Sequence, residues 1–159
     1  MNIKIICVGK LKEKYWIDAL AEYSKRLSRY AKTDIIQIPD EKIPDNPSDK
    51  ECEIIKGKEA AAIQKYLKNN DYIISLCVEG KQMDSIAFAG HIKQLGIDGV
   101  SNIAFIIGGS LGLDECIKQM SQMRLSFSKM TFPHQLMRVV LAEQIYRAFK
   151  IINGEIYHK

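Results

Sequence analysis

Four short apolar runs, each followed by a stretch of helical spacing, constrain what this chain can become more than any other feature of it. They are Ile3-Lys4-Ile5-Ile6-Cys7-Val8, Ile35-Ile36-Gln37-Ile38, Tyr72 to Val78, and Ile103-Ala104-Phe105-Ile106-Ile107. Runs this short, rich in β-branched residues and closed by glycine, proline or polar turns, read as strands buried on both faces. Strands of that kind, spaced by helices, predict a parallel sheet covered on both sides.

The spacers fit. Tyr15, Trp16, Ala19, Leu20, Tyr23, Leu27 and Tyr30 recur at helical intervals after Gly9. The polar stretch from Asp40 to Asp49, with Pro44 and Pro47, reads as a loop, and Ser48-Asp49-Lys50-Glu51 fits a capping box opening a helix to about Leu67. Ser85 to Leu95 predicts a helix ending near Gly96, and Leu113 to Met120 a short one. A weak strand, Arg124 to Phe127, and a loop through Thr131 lead to Pro133, a good first-turn residue for a last helix reaching about Ile152. The expected order is βαβαβαβαβα without repeat or linker, and 159 residues suit one α/β domain, 1–159, with no appended RNA-binding domain.

That last helix breaks the amphipathic pattern. Twelve of the 19 residues from His134 to Ile152 are apolar, and they fall all round the helix. Burial on a second face across a homodimer axis, or a central place in the core, accounts for them.

No apolar run approaches the roughly 18 residues of a membrane span, and the N-terminal run is too short for a signal peptide, so a soluble, cytoplasmic protein is expected. Cys7, Cys52, Cys77 and Cys116 have no metal-like spacing and read as reduced thiols. The net charge of +4 is too mild to announce a nucleic-acid binder, but from Cys116 onward seven bases face two acids. A polyanion is therefore expected to meet the C-terminal quarter.

Gly108-Gly109-Ser110-Leu111-Gly112 follows a buried strand, where open α/β sheets bind ligands, and its glycines let backbone N–H groups approach a nucleotide-like cofactor. It matches neither GxxxxGK[ST] nor GxGxxG. It does match GxSxG, and a small hydrolase with Ser110, Asp114 or Glu143, and His158 is an alternative, although such folds are usually longer. A ligand-free tight turn and a non-catalytic nucleotide-binding module are two others. The hydroxyl-rich segment Phe127 to His134 either closes over an adenine ring or is ordinary capping by Thr131 with Phe132 as staple. His91 lies on a helix expected to be solvated, and His134 reads as a local hydrogen-bond partner. The ending Ile156-Tyr157-His158-Lys159 combines an aromatic, an imidazole and a cation, fit to stack on a base, move a proton and hold a phosphate, or simply to fray.

Taken together, Phe105 to Gly112, Leu125 to His134, Arg138 to Ala148, the Tyr157-His158 ending and the start Val8 to Lys12 resemble the RlmH family of the SPOUT superfamily over the whole chain. The resemblance implies an α/β fold with a C-terminal trefoil knot, an exception to the rule that chains stay unknotted. It implies a homodimer that uses S-adenosylmethionine to methylate N3 of a pseudouridine in helix 69 of 23S rRNA, in the assembled ribosome. By resemblance, Leu76, Gly108, Phe127, Ser128, Lys129, Met130, Thr131 and Phe132 contact the cofactor. Tyr157 and His158 reach the pseudouridine, in the partner's site, with His158 orienting or accepting the imide proton. Lys159, Arg138 and Arg147 meet phosphates, Lys159 standing where many relatives have Arg. No metal and no membrane are implied.

Overall fold

The computed structural model describes residues 1–158. In chain order the elements are β1 (Asn2–Val8), α1 (Lys14–Leu27), β2 (Lys32–Ile38), α2 (Asp49–Gln64), β3 (Tyr72–Gln82), α3 (Ser85–Ile97), β4 (Asn102–Ile107), α4 (Glu115–Met120), β5 (Met123–Ser126) and α5 (His134–Ile152). The strands form one parallel sheet in the order β2-β1-β4-β3-β5. Ile5 stands between Ile35 and Phe105 in the register, and Phe105 between Ile5 and Ile74. The most apolar runs therefore hold the centre.

Because successive side chains alternate, β1 feeds two cores. Ile3, Ile5 and Cys7 join Phe105, Leu20, Leu27, Phe88, Ile92, Leu141 and Ile145 under α1, α3 and α5. Ile6 and Val8 join Ile106, Ala60, Ile63 and Ile117 under α2 and α4. The α2 start is as expected: Ser48 accepts from Glu51 N, and the Glu51 side chain accepts in return from Ser48 N at 2.8 Å.

Four expectations are corrected. β3 runs beyond Val78 to Gln82, with a register shift between Leu76 and Lys81 where it rejoins β5. A bulge of this kind bends the strand and opens room at the sheet edge. Gly80 permits the rejoining, since a Cβ there would lie 2.7 Å from the Leu125 carbonyl carbon. At α5, Pro133 is the N-cap and not the first helical residue, and no side chain caps the helix, so Thr131 is not its cap. His91 is half-buried beside Tyr72, its ring centroid 5.9 Å away, and burial lowers its pKa. Finally, α5 is a central helix. It packs between α1 and α3, and none of its residues is fully exposed.

Arg138 on α5 is the fourth correction's most telling residue. Expected to meet phosphate, it is 0% exposed and donates from Nη2 to the carbonyls of Val8 at 2.7 Å and Gly9 at 3.0 Å. Its Nε finds no partner, and burial lowers its pKa from the usual arginine value. It therefore fastens the end of β1 to the start of α5, and no RNA phosphate can reach it. Arg138→Met is expected to leave two buried carbonyls unpaired and to cost about 2–4 kcal/mol in urea denaturation. A loss below about 1 kcal/mol would mean those carbonyls rehydrate.

Candidate functional site

The carboxyl ends of β3, β4 and β5 open into a cavity of about 320 Å³. Such crevices beyond parallel strand ends are where open α/β sheets bind ligands. Three loops wall it. The bulged part of β3 contributes Leu76, Cys77, Val78 and Glu79; the turn after β4 contributes Gly108, Gly109, Leu111 and Gly112; and the segment after β5 contributes Phe127, Ser128, Met130, Thr131 and Phe132. The glycine turn is closed by Gly112 N donating to Gly109 O at 3.0 Å. Gly108 makes this closeness possible, because a Cβ on it would lie 2.8 Å from the Gly112 carbonyl carbon.

Seven of the eight residues expected to contact a cofactor line this cavity; Lys129 does not. Sequence reading missed Glu79, Lys56, Lys118, His134 and Met137, which also line it. Lys118 reaches Glu79 at 2.5 Å and holds its carboxyl below the ordinary glutamate range. His134 stands close to Gly9, whose φ of +88° and missing side chain leave it room. Burial, reinforced by Arg138, lowers the His134 pKa, so the ring is neutral at physiological pH.

The tail lies on α5. Glu143 accepts from Arg147 Nη2 at 2.5 Å and from the Tyr157 hydroxyl at 3.1 Å. Arg147 lies 4.7 Å from the Tyr157 ring centroid and 3.4 Å from His158 Nδ1. Burial and the bond to Glu143 push the Tyr157 phenol up to about 12, so it stays protonated and donates. Arg147 is thus mostly engaged within the tail network, and Lys159 lies outside the described residues.

The hydrolase alternative does not assemble. Ser110 is exposed, Asp114 caps α4 by accepting from Cys116 N, and Glu143 and His158 belong to the tail network. Among the described residues no group of three His, Cys, Asp or Glu side chains could hold a metal, and no helix is long and apolar enough to cross a membrane.

Residues 1–158 match the model of a family described as "Predicted SPOUT methyltransferase". A ribosomal RNA large subunit methyltransferase H of Clostridium beijerinckii is 58% identical over 159 residues, 100% of both chains. The chain belongs to the RlmH family of SPOUT methyltransferases. A Methanococcus maripaludis protein that carries the same name provisionally is 60% identical, again over 100% of both chains. Among solved structures, one described as a probable methyltransferase from Bordetella pertussis superposes with a TM-score of 0.58 at 12% identity, covering 92% of this chain and 95% of that one. That likeness extends the parallel-sheet fold of the RlmH chain to a distant sequence.

A second carboxyl lies behind the RlmH glycine turn. Glu59 of α2 is 6% exposed and accepts from Glu41 N at 3.3 Å, and a Cβ on Gly109 would lie 3.3 Å from its Oε2. Burial raises its pKa, so the ionised form costs stability at neutral pH, and that cost disappears as pH falls below the ordinary carboxyl range. Glu59→Gln keeps the acceptor and removes the charge. It is expected to raise the thermal midpoint at pH 7 by on the order of a degree or two, with no gain at pH 4. An equal gain at both pH values would show that charge is not the cause.

Proposed function

We propose that this chain is an S-adenosylmethionine-dependent rRNA methyltransferase that modifies N3 of a pseudouridine in helix 69 of 23S rRNA within the assembled ribosome. The observation that carries the reading is the convergence of the three loops on one cavity, in a chain 58% identical to a ribosomal RNA large subunit methyltransferase H. The residues present suit an adenosyl cofactor. Leu76, Leu125, Phe132 and Met137 offer apolar surface to a purine, Glu79 offers an anionic acceptor to sugar hydroxyls, and Gly108 leaves backbone accessible. The cofactor supplies, when bound, an electrophilic methyl group on a sulfonium.

The chain's own residues do the rest. The imide nitrogen attacks best after losing its proton, so the site must align the base and favour its anion. His158 orients or accepts that proton, and Tyr157, held protonated, positions the base beside it. Lys159 and Arg147 meet phosphate, Arg147 by turning from Glu143. The reading includes the trefoil knot of the C-terminal part and a homodimer. Support for the dimer is the set of exposed apolar side chains around the site, Ile86, Met130, Phe132 and Ile156 among them, which a second copy would cover.

A single small domain with a mildly basic end gains affinity from a duplicated surface and a preformed substrate. Labelled methyl transfer to intact ribosomes should therefore exceed transfer to free 23S rRNA by at least about tenfold. Equal rates on the two would contradict the assembled-ribosome part of the proposal.

A further inference from the structure

A second cavity, of about 430 Å³, lies beside the first and shares Leu125, Ser126 and Phe127 with it. Its remaining wall includes Asp84, Ser85, Gln144 and His158. A group in this space and a group in the first would face each other across the end of β5, which is the relation a methyl acceptor and its donor require.

The polarity of the wall is fixed by the tail network. Gln144 Nε2 lies 2.7 Å from Glu143 Oε2, and a carboxylate oxygen accepts, so the amide must turn its NH2 toward Glu143. Oε1 then faces Ser85, whose hydroxyl donates to it at 2.8 Å. One lone pair of Oε1 and the lone pairs of the Ser85 hydroxyl remain available. Asp84 adds a carboxylate that caps α3 through Ala87 N at 2.7 Å. This side of the cavity presents acceptors and selects a ligand rich in N–H donors.

We infer that this cavity takes the acceptor base, and that Gln144, set by Glu143 and Ser85, reads the extra N–H that distinguishes pseudouridine from uridine. The inference rests on the methyl-transfer reading above and adds the basis of its selectivity. Uridine carries its sugar on N1 and offers only N3–H. Pseudouridine carries its sugar on C5 and offers N1–H as well as N3–H. With N3 directed at Phe127 and the donor site, N1–H is left for an acceptor on another wall, and Gln144 Oε1 supplies it. A uridine there buries Oε1 without that donor and turns a C–H toward it.

The test compares methylation rates on two ribosome preparations, one with pseudouridine and one with uridine at the target position. The wild-type protein should prefer pseudouridine by on the order of 10- to 100-fold, the worth of one buried hydrogen bond. Gln144→Met should bring the ratio within about threefold of unity by losing rate on pseudouridine, while cofactor affinity measured by calorimetry stays within about twofold. Ser85→Ala, which leaves Oε1 in place, should give an intermediate ratio. A wild-type ratio near one, or a Gln144→Met protein that keeps the full ratio, would overturn the inference and leave the methyltransferase reading standing. A wild-type protein that labels neither preparation would overturn both.

Discussion

Gly108→Ala is expected to lose cofactor binding by at least about 100-fold and to destabilise the fold by about 2–4 kcal/mol. The added Cβ would meet backbone on three sides: Gly112 C at 2.8 Å, Gly112 O at 2.9 Å and Leu113 N at 3.0 Å. Backbone of a closed turn cannot step aside as a side-chain tip can, so the turn must open and its cavity wall must move. Gly112→Ala is the control. A Cβ there meets nothing within 4 Å, but the φ of +79° makes alanine strained by about 1–2 kcal/mol. Stability should fall in both, and affinity much further in Gly108→Ala. Calorimetry and urea denaturation separate the two quantities, and a Gly108→Ala protein with wild-type affinity would remove this turn from the cofactor site.

The second large effect concerns the tail. His158→Ala should lower methyl transfer by about 100-fold or more with cofactor affinity unchanged, because His158 lines the second cavity and not the first. Tyr157→Phe should cost about tenfold or less, since a phenol pushed up to about 12 contributes a hydrogen bond and a position rather than a base. Single-turnover rates on ribosomes at saturating cofactor give both numbers. Wild-type transfer by His158→Ala would leave proton removal to water and reduce the protein's part to positioning.

Local signals in the sequence were read well, and tertiary ones were not. Ser48 and Glu51 declare a helix start because both partners of the capping box lie within one turn. The apolar strands declare themselves because burial on both faces leaves no room for polar residues. Glu79, Gly80, Lys81 and Gln82 look like a loop after a strand, and they become sheet only because β5, some 45 positions later, rejoins them. Arg138 shows the same limit on charge. Seven bases near the end of a chain look alike in sequence, yet Arg138 is turned inward to two carbonyls and Arg147 is folded onto its own tail.

The cofactor cavity was legible in part for a related reason. Gly108 and the Phe127 to Phe132 segment stand next to strands that a reader can find, so strand ends point to them. Lys56 and Lys118 come from α2 and α4, on the far face of the sheet from α5, and nothing near them in sequence marks them. The Ser85 and Gln144 pair joins residues 59 positions apart and has no sequence signature at all. The all-round apolarity of α5 was seen correctly, and its first cause is now visible in the packing of α1 and α3 on either side. The apolar residues left exposed near the site are what the proposed second copy would cover.

One measurement bears most directly on the whole account. The purified protein is incubated with methyl-labelled S-adenosylmethionine and ribosomes lacking the modification, and the labelled nucleotide is mapped by mass spectrometry. The account predicts label on N3 of a pseudouridine in helix 69 of 23S rRNA. Cofactor binding with no label on that nitrogen would contradict it.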